Sequence, residues 1–225
     1  MKLMNGICSA LAIAAISVGA YAANTTAASP TLAGLPSPLT WQNKTAEWSA
    51  NINTLTLSAA KKTDWFVYPG GGYTANSSPR LLFKTADDFM FSAQVEVKAH
   101  ATYDAGCLAL YASTSTWAKL CLEAQADHRL NVISVVTRGS SDDATSFPAS
   151  GTSIYLKIAK ADRTIFFYAS EDGRAWTIIR KLTLPASRGL LTGFSAQSPD
   201  GNGTSASFTD FHYLPQKINL WNLQS

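Results

Sequence analysis

Charge is scarce in this chain of 225 residues: only 15% are Asp, Glu, Lys or Arg. Eighteen basic residues against fifteen acidic ones leave a net charge of +3, and no basic run exceeds the pairs Lys61-Lys62 and Arg180-Lys181. A phosphate-tracking surface needs clustered positive charge, so nucleic acid is excluded as a partner. Histidine and cysteine are equally sparse, at three residues each. With no Cys-x-x-Cys and with His100, His128 and His212 scattered, the spacing of a structural metal site is missing. Gly-x-Ser-x-Gly, His-Glu-x-x-His and any Ser/His/Asp grouping are missing too. Gly70-Gly71-Gly72 after Pro69 reads as a turn, because no helix pattern follows it to make a phosphate cradle. Nothing implies a cofactor. Downstream of the N-terminus no apolar stretch approaches the ~20 residues that cross a bilayer, so no membrane insertion is expected once that terminus is removed.

The N-terminus carries a strong signal. A positive end at Met1-Lys2, an apolar run from Ile7 to Gly19 and the small-x-small site Ala20-Tyr21-Ala22 together read as a secretory signal peptide over residues 1–22. The protein is therefore expected to be secreted, extracellular or periplasmic. Residues 23–40 are rich in Ser, Thr, Ala and Pro and read as a flexible segment, residues 41–215 as one domain, and residues 216–225 as a tail. Cys8 leaves with the signal. The remaining Cys107 and Cys121 flank a turn centred near Thr114, which sets them opposite one another; an exported protein allows a cross-strand disulfide there, and a pair of small buried thiols is the other reading. Asn-x-Ser/Thr sites stand at Asn24, Asn43, Asn76 and Asn202.

From Trp41 onward the chain is short apolar and β-branched runs separated by turn residues, with no helix-period stretch. The expected strands are 53–59, 65–68, 80–83, 89–98, 106–112, 117–124, 130–137, 154–159, 164–170, 175–182, 190–196 and 205–213. Such spacing predicts an all-β protein, two packed antiparallel sheets. Because side chains alternate across a sheet, parity assigns faces. Around Thr114 the even positions Leu108, Leu110, Ala118, Leu120 and Leu122 are the apolar set and point inward. Cys107, Ala109, Tyr111, Trp117, Lys119, Cys121 and Glu123 then share the other face. Ile154, Leu156 and Ile158 repeat the pattern and leave Tyr155 and Lys157 outside. Asp172-Gly173 marks a hairpin turn, with Trp176 packed beneath it.

Several ordered pieces resemble the regulation-of-enolase protein family, a family of unknown function. They include Lys62-Thr63-Asp64-Trp65-Phe66, Tyr103-Asp104-Ala105-Gly106-Cys107-Leu108, Trp117-Ala118-Lys119-Leu120-Cys121-Leu122-Glu123, Ser170-Glu171-Asp172-Gly173-Arg174-Ala175-Trp176 and Phe208-Thr209-Asp210-Phe211. The resemblance spans most of the chain after the signal and implies a jelly roll of the concanavalin A-like lectin/glucanase type, whose curved, concave sheet face presents a groove to sugars in the lectin and glucanase relatives. Lys157 departs from it, standing where Arg is more usual, as do Cys107 and Cys121. The Glu-x-Asp-x-x-Glu run of the glucanases is absent, and fold alone licenses no reaction.

Three functional readings follow. Tyr111, Trp117, Lys119 and Glu123 on one face, with Asp104, Arg138 and Asp142 near its ends, supply the rings and polar groups that bind a carbohydrate or glycan surface. Asp104 and Glu123, at adjoining strand ends, are the acid and base of a glycoside-active enzyme in the second reading. In the third, the same face meets a protein partner without catalysis. Arg138, Ser141, Asp142 and Asp143 are read as a polar loop.

Overall fold

A computed structural model of the chain describes residues 29–45 and 47–216. The signal peptide, Cys8, Asn24 and residues 217–225 of the expected tail lie outside the described residues. The strands are β1 (Thr40–Gln42), β2 (Trp48–Asn51), β3 (Thr54–Ala60), β4 (Trp65–Val67), β5 (Thr74–Asn76), β6 (Arg80–Lys84), β7 (Phe89–Lys98), β8 (Ala105–Ser113), β9 (Thr116–Ala124), β10 (Leu130–Arg138), β11 (Ser140–Pro148), β12 (Ser153–Ala161), β13 (Thr164–Ser170), β14 (Thr177–Leu182), β15 (Leu191–Gln197) and β16 (Gly203–Leu214). Sheet I runs β1-β6-β15-β8-β9-β10-β11 and sheet II runs β14-β13-β12-β7-β16-β3-β2, while β4 and β5 form a separate hairpin. Every pairing is antiparallel. No described residue is helical. The molecule is a two-sheet jelly-roll sandwich.

Alternation builds its centre. Leu108, Leu110, Leu120 and Leu122 from sheet I are sealed against Val95, Leu156, Ile158 and Phe208 from sheet II. Aromatic edges lock the layers, with the Phe91 and Phe194 rings 5.3 Å apart and nearly perpendicular. The register of the β8–β9 hairpin pairs Cys107 with Cys121 and Tyr111 with Trp117, as a turn about Thr114 requires.

Two parts of the chain differ from the sequence reading. Residues 29–40 are not a loose lead-in: Leu32 and Leu39 are buried in the main core, and the Ala33 amide donates to the Ile52 carbonyl. Leu35 between them packs against the same core, but three leucines interrupted by Gly34, Pro36 and Pro38 make neither a helix nor a strand pattern. The stretch containing Arg138, Ser141, Asp142 and Asp143 is a strand end and the edge strand β11, not a loop. β11 was hidden because its residues are almost all exposed, as suits a charged edge that resists further pairing.

Where sheets and strands approach closely, glycine is required. A Cβ on Gly193 of β15 would lie 2.1 Å from the Leu81 carbonyl oxygen of β6, a backbone atom that cannot step aside. Gly193→Ala is therefore expected to destabilise by roughly 1–3 kcal/mol, seen as a lower denaturant midpoint with unchanged slope; an unaltered midpoint would show that the two strands can separate freely.

Candidate functional site on the outer face of sheet I

The odd-numbered residues of β8 and β9 do share the outer face of sheet I, but that face is not bare. The β4–β5 hairpin lies across it. Trp65 of β4 stacks on Trp117 with centroids 4.0 Å apart and planes 22° from parallel, and Tyr111 packs at the edge with its ring 6.4 Å from Trp65. Together with Leu82, Cys107, Ala109, Cys121, Ile133 and Val135 they form a second apolar cluster. Trp117 is only 1% exposed, which corrects the expectation of an open aromatic platform: an apolar face of this size is covered by the chain's own hairpin. Beneath it Cys107 and Cys121 are joined by a disulfide.

The hairpin is pinned by polar contacts. Ser141 of β11 accepts a hydrogen bond from the Val67 amide at 2.9 Å and bonds Thr137 of β10. Asp64, at the entrance to β4, accepts from the Trp65 amide at 2.6 Å and from the Tyr73 hydroxyl at 3.0 Å. Arg80 of β6 lies 4.2 Å from the Trp65 ring centroid; its Nε donates to Gln42 and its Nη2 to Asn76, while Nη1 is buried without a partner. Burial lowers its pKa to about 10, still far above neutrality.

Beyond the aromatic roof the face turns polar. The Lys119 ammonium, in a side chain 2% exposed, donates to Gln197 Oε1 at 2.6 Å and stands 3.7 Å from Asp64 Oδ1. Gln197 of β15 passes the contact on, its Nε2 donating to Glu123 Oε2 at 3.3 Å and to the Tyr103 carbonyl at 3.2 Å. Gln125 donates to Glu123 Oε1 at 3.0 Å. Burial pushes the Glu123 carboxyl up to about 7, against the opposing pull of the Lys119 ammonium and the Gln125 amide. Burial likewise lowers the affinity of Lys119 for its proton, countered chiefly by Asp64 and Glu123. Tyr73, raised to about 12 by burial and by Asp64, keeps its hydroxyl proton as a donor. Tyr73 and Tyr103, at opposite ends of this chain of contacts, are both exposed.

The remaining expected site residues disperse. Asp104 precedes β8 with even parity, so it turns away from Glu123 although their strands adjoin. Its oxygens accept from the His100 and Ala101 amides and from Ser198 Oγ, and it organises that loop. Asp142 pairs with Arg180 of β14 at 2.6 Å, and Arg138 donates to the Thr183 carbonyl; the two residues staple the edges of the sheets. Asp64, Tyr73 and Gln197 escaped the sequence reading, whereas Tyr103 stood in it beside Asp104. The motif containing Asp64 was visible, but nothing local shows that a hairpin folds it back over β9.

This arrangement defines a two-sheet antiparallel jelly-roll sandwich with a roofed, partly charged outer face. The family model described as "Protein of unknown function (DUF1349)" matches residues 41–216, and the chain belongs to that family. It is 24% identical over 173 residues to "Regulation of enolase protein 1" of Saccharomyces cerevisiae, covering 76% of this chain and 87% of the relative. A crystal structure of a functionally unknown protein from Saccharomyces cerevisiae superposes with a TM-score of 0.74 at 23% identity, covering 80% of this chain and 97% of that one. A GH43 protein, BlXynB from Bacillus licheniformis, shares the fold with a TM-score of 0.59 at 19% identity, over 72% of this chain and 33% of that longer one.

The raised proton affinity of Glu123 makes stability depend on pH. Its folded pKa of about 7 lies above the ordinary value of 4.5, so between those values the folded state holds more proton than the unfolded one. Stability then falls as pH rises through this window, by on the order of 3 kcal/mol for a shift of this size. Glu123→Gln is expected to remove that slope, leaving the variant similar to the parent near pH 4.5 and more stable at pH 8. Urea titrations at the two pH values test this, and parallel profiles would place Glu123 in water.

Proposed function

We propose that the protein binds carbohydrate at the polar end of the outer face of sheet I. The observation that carries this reading is the unbroken chain of contacts Tyr73–Asp64–Lys119–Gln197–Glu123, with an exposed tyrosine at one end and Tyr103 beside the other. A tyrosine ring offers an apolar face to a pyranose and its hydroxyl a polar partner, while the buried carboxylates and amides behind the two tyrosines hold them in place. Fixed partners matter because groups that need no reordering on binding lose less entropy. In this reading Trp117 and Tyr111 support the site from below.

Glu123, with its pKa near neutrality, has the proton affinity of a general acid. Binding is favoured over glycoside cleavage because the second carboxylate is committed elsewhere: Asp104 is bound up in its loop, and Asp64 is held by the Trp65 amide, Tyr73 and Lys119. The likeness to a GH43 protein supports the fold. Export is part of the proposal, supported by the N-terminal leader pattern and by a disulfide that suits an oxidising compartment.

A glycan array followed by calorimetry on the hits tests the reading. Tyr103→Ala and Tyr73→Ala are expected to weaken a hit at least tenfold, the first with the unfolding midpoint nearly unchanged and the second with a modest loss of stability because Asp64 loses the hydroxyl it accepts from. An array without hits, or hits indifferent to both substitutions, would overturn it. Reducing-sugar release abolished by Glu123→Gln with binding retained would convert the binder into an enzyme.

A further inference from the structure

The outer face of sheet II holds a buried cation with no counter-charge. Lys157 of β12 is 5% exposed, and its ammonium lies 3.5 Å from the centroid of the Trp176 ring and 5.8 Å from that of Tyr168. Among the described residues no carboxylate pairs with it and no oxygen accepts its hydrogen bonds. Desolvation is unopposed here and lowers its pKa to about 8. Tyr168 of β13, directly across the ladder from Lys157, has its hydroxyl buried and without a partner. One buried hydroxyl is thus left unsatisfied, a costly arrangement for any interior, beside an ammonium faced by aromatic rings rather than by a counter-ion.

The surroundings describe what would satisfy them. Trp176, Phe166, Ile178 and Met90 make the walls apolar. Trp176 lies between the Asp172-Gly173 turn and β14, outside the strand ladders, and that turn is fixed by Asp172 Oδ1 accepting from the Arg174 and Ala175 amides. The ring carried on this connection packs on the aromatic cluster and covers the ammonium. On this face His212 is occupied by Asp210, and Lys181 lies over Phe166, its Nζ 5.7 Å from that ring. The ammonium of Lys157 is the charge at the centre.

We propose that Lys157 and Tyr168, beneath Trp176, form a binding site for a small carboxylate attached to a flat or apolar body. One ammonium and one phenol match the single charge and two oxygens of a carboxylate, with charge-assisted bonds replacing the missing ones. A phosphate dianion has no apolar body to lay against Trp176 and Phe166, and a neutral ligand would leave the ammonium uncompensated. This site lies on the opposite side of the sandwich from the proposed carbohydrate surface and is independent of it.

Benzoate serves as the probe, with benzamide as its uncharged counterpart and inorganic phosphate as the competing oxyanion. Calorimetry on the full chain is expected to show benzoate binding that is at least tenfold weaker in Lys157→Met and several-fold weaker in Tyr168→Phe, with no benzamide binding. Benzoate should also protect Lys157 from acetylation, read by peptide mass spectrometry, a measurement on the unsubstituted protein that stands even if a variant fails to fold. Because Lys157→Met removes an unpaired buried charge, its unfolding midpoint is expected to match or exceed the parent's. Absence of benzoate binding, binding unaffected by both substitutions, acetylation unaffected by benzoate, or phosphate bound in preference would each overturn the assignment.

Discussion

The stack of Trp65 on Trp117 is the contact on which the rest of sheet I depends. A sandwich ordinarily has one dry interior and two wet outer faces, but here the β4–β5 hairpin closes one outer face with aromatic surface. The consequence is electrostatic. Lys119 and Glu123, which would be ordinary solvated residues on an open strand, lie under or beside the cover and must find partners within the protein. Asp64 and Gln197 are those partners, and both come from elements remote in sequence.

This geometry separates two kinds of residue that sequence pattern cannot distinguish. Trp117 and Glu123 have the same parity, the same strand and the same outward direction, yet the ring is covered by another ring and the carboxyl by the amides of Gln125 and Gln197. The difference is set by where a three-residue strand, Trp65–Val67, comes to rest. Arg80 shows the same effect, its guanidinium held over the Trp65 ring by Gln42 and Asn76.

Period-two alternation made the inner faces legible: the leucines of β8 and β9, and Ile154, Leu156 and Ile158, were assignable residue by residue because burial between sheets admits apolar side chains alone. The hairpin about Thr114 and the facing cysteines followed from the same arithmetic. What escaped was nonperiodic. β1, β2 and β5 are three or four residues long, too short for alternation to register, and β11 is an edge with little burial to impose a pattern. The pairing of Asp104 with Glu123 failed for a different reason, since adjoining strands place residues side by side while parity still decides which way each points. The site residues that mattered, Asp64, Tyr73 and Gln197, are joined by tertiary folding over long stretches of chain.

The cover also changes the chemistry of the bridge between Cys107 and Cys121. Both half-cystines are sealed from water, so an attacking thiolate has no line of approach while the tryptophans are in place. Survival of the bridge in a reducing medium is then governed by how often the hairpin peels back from β9, and thiol exchange becomes a clock for that local opening.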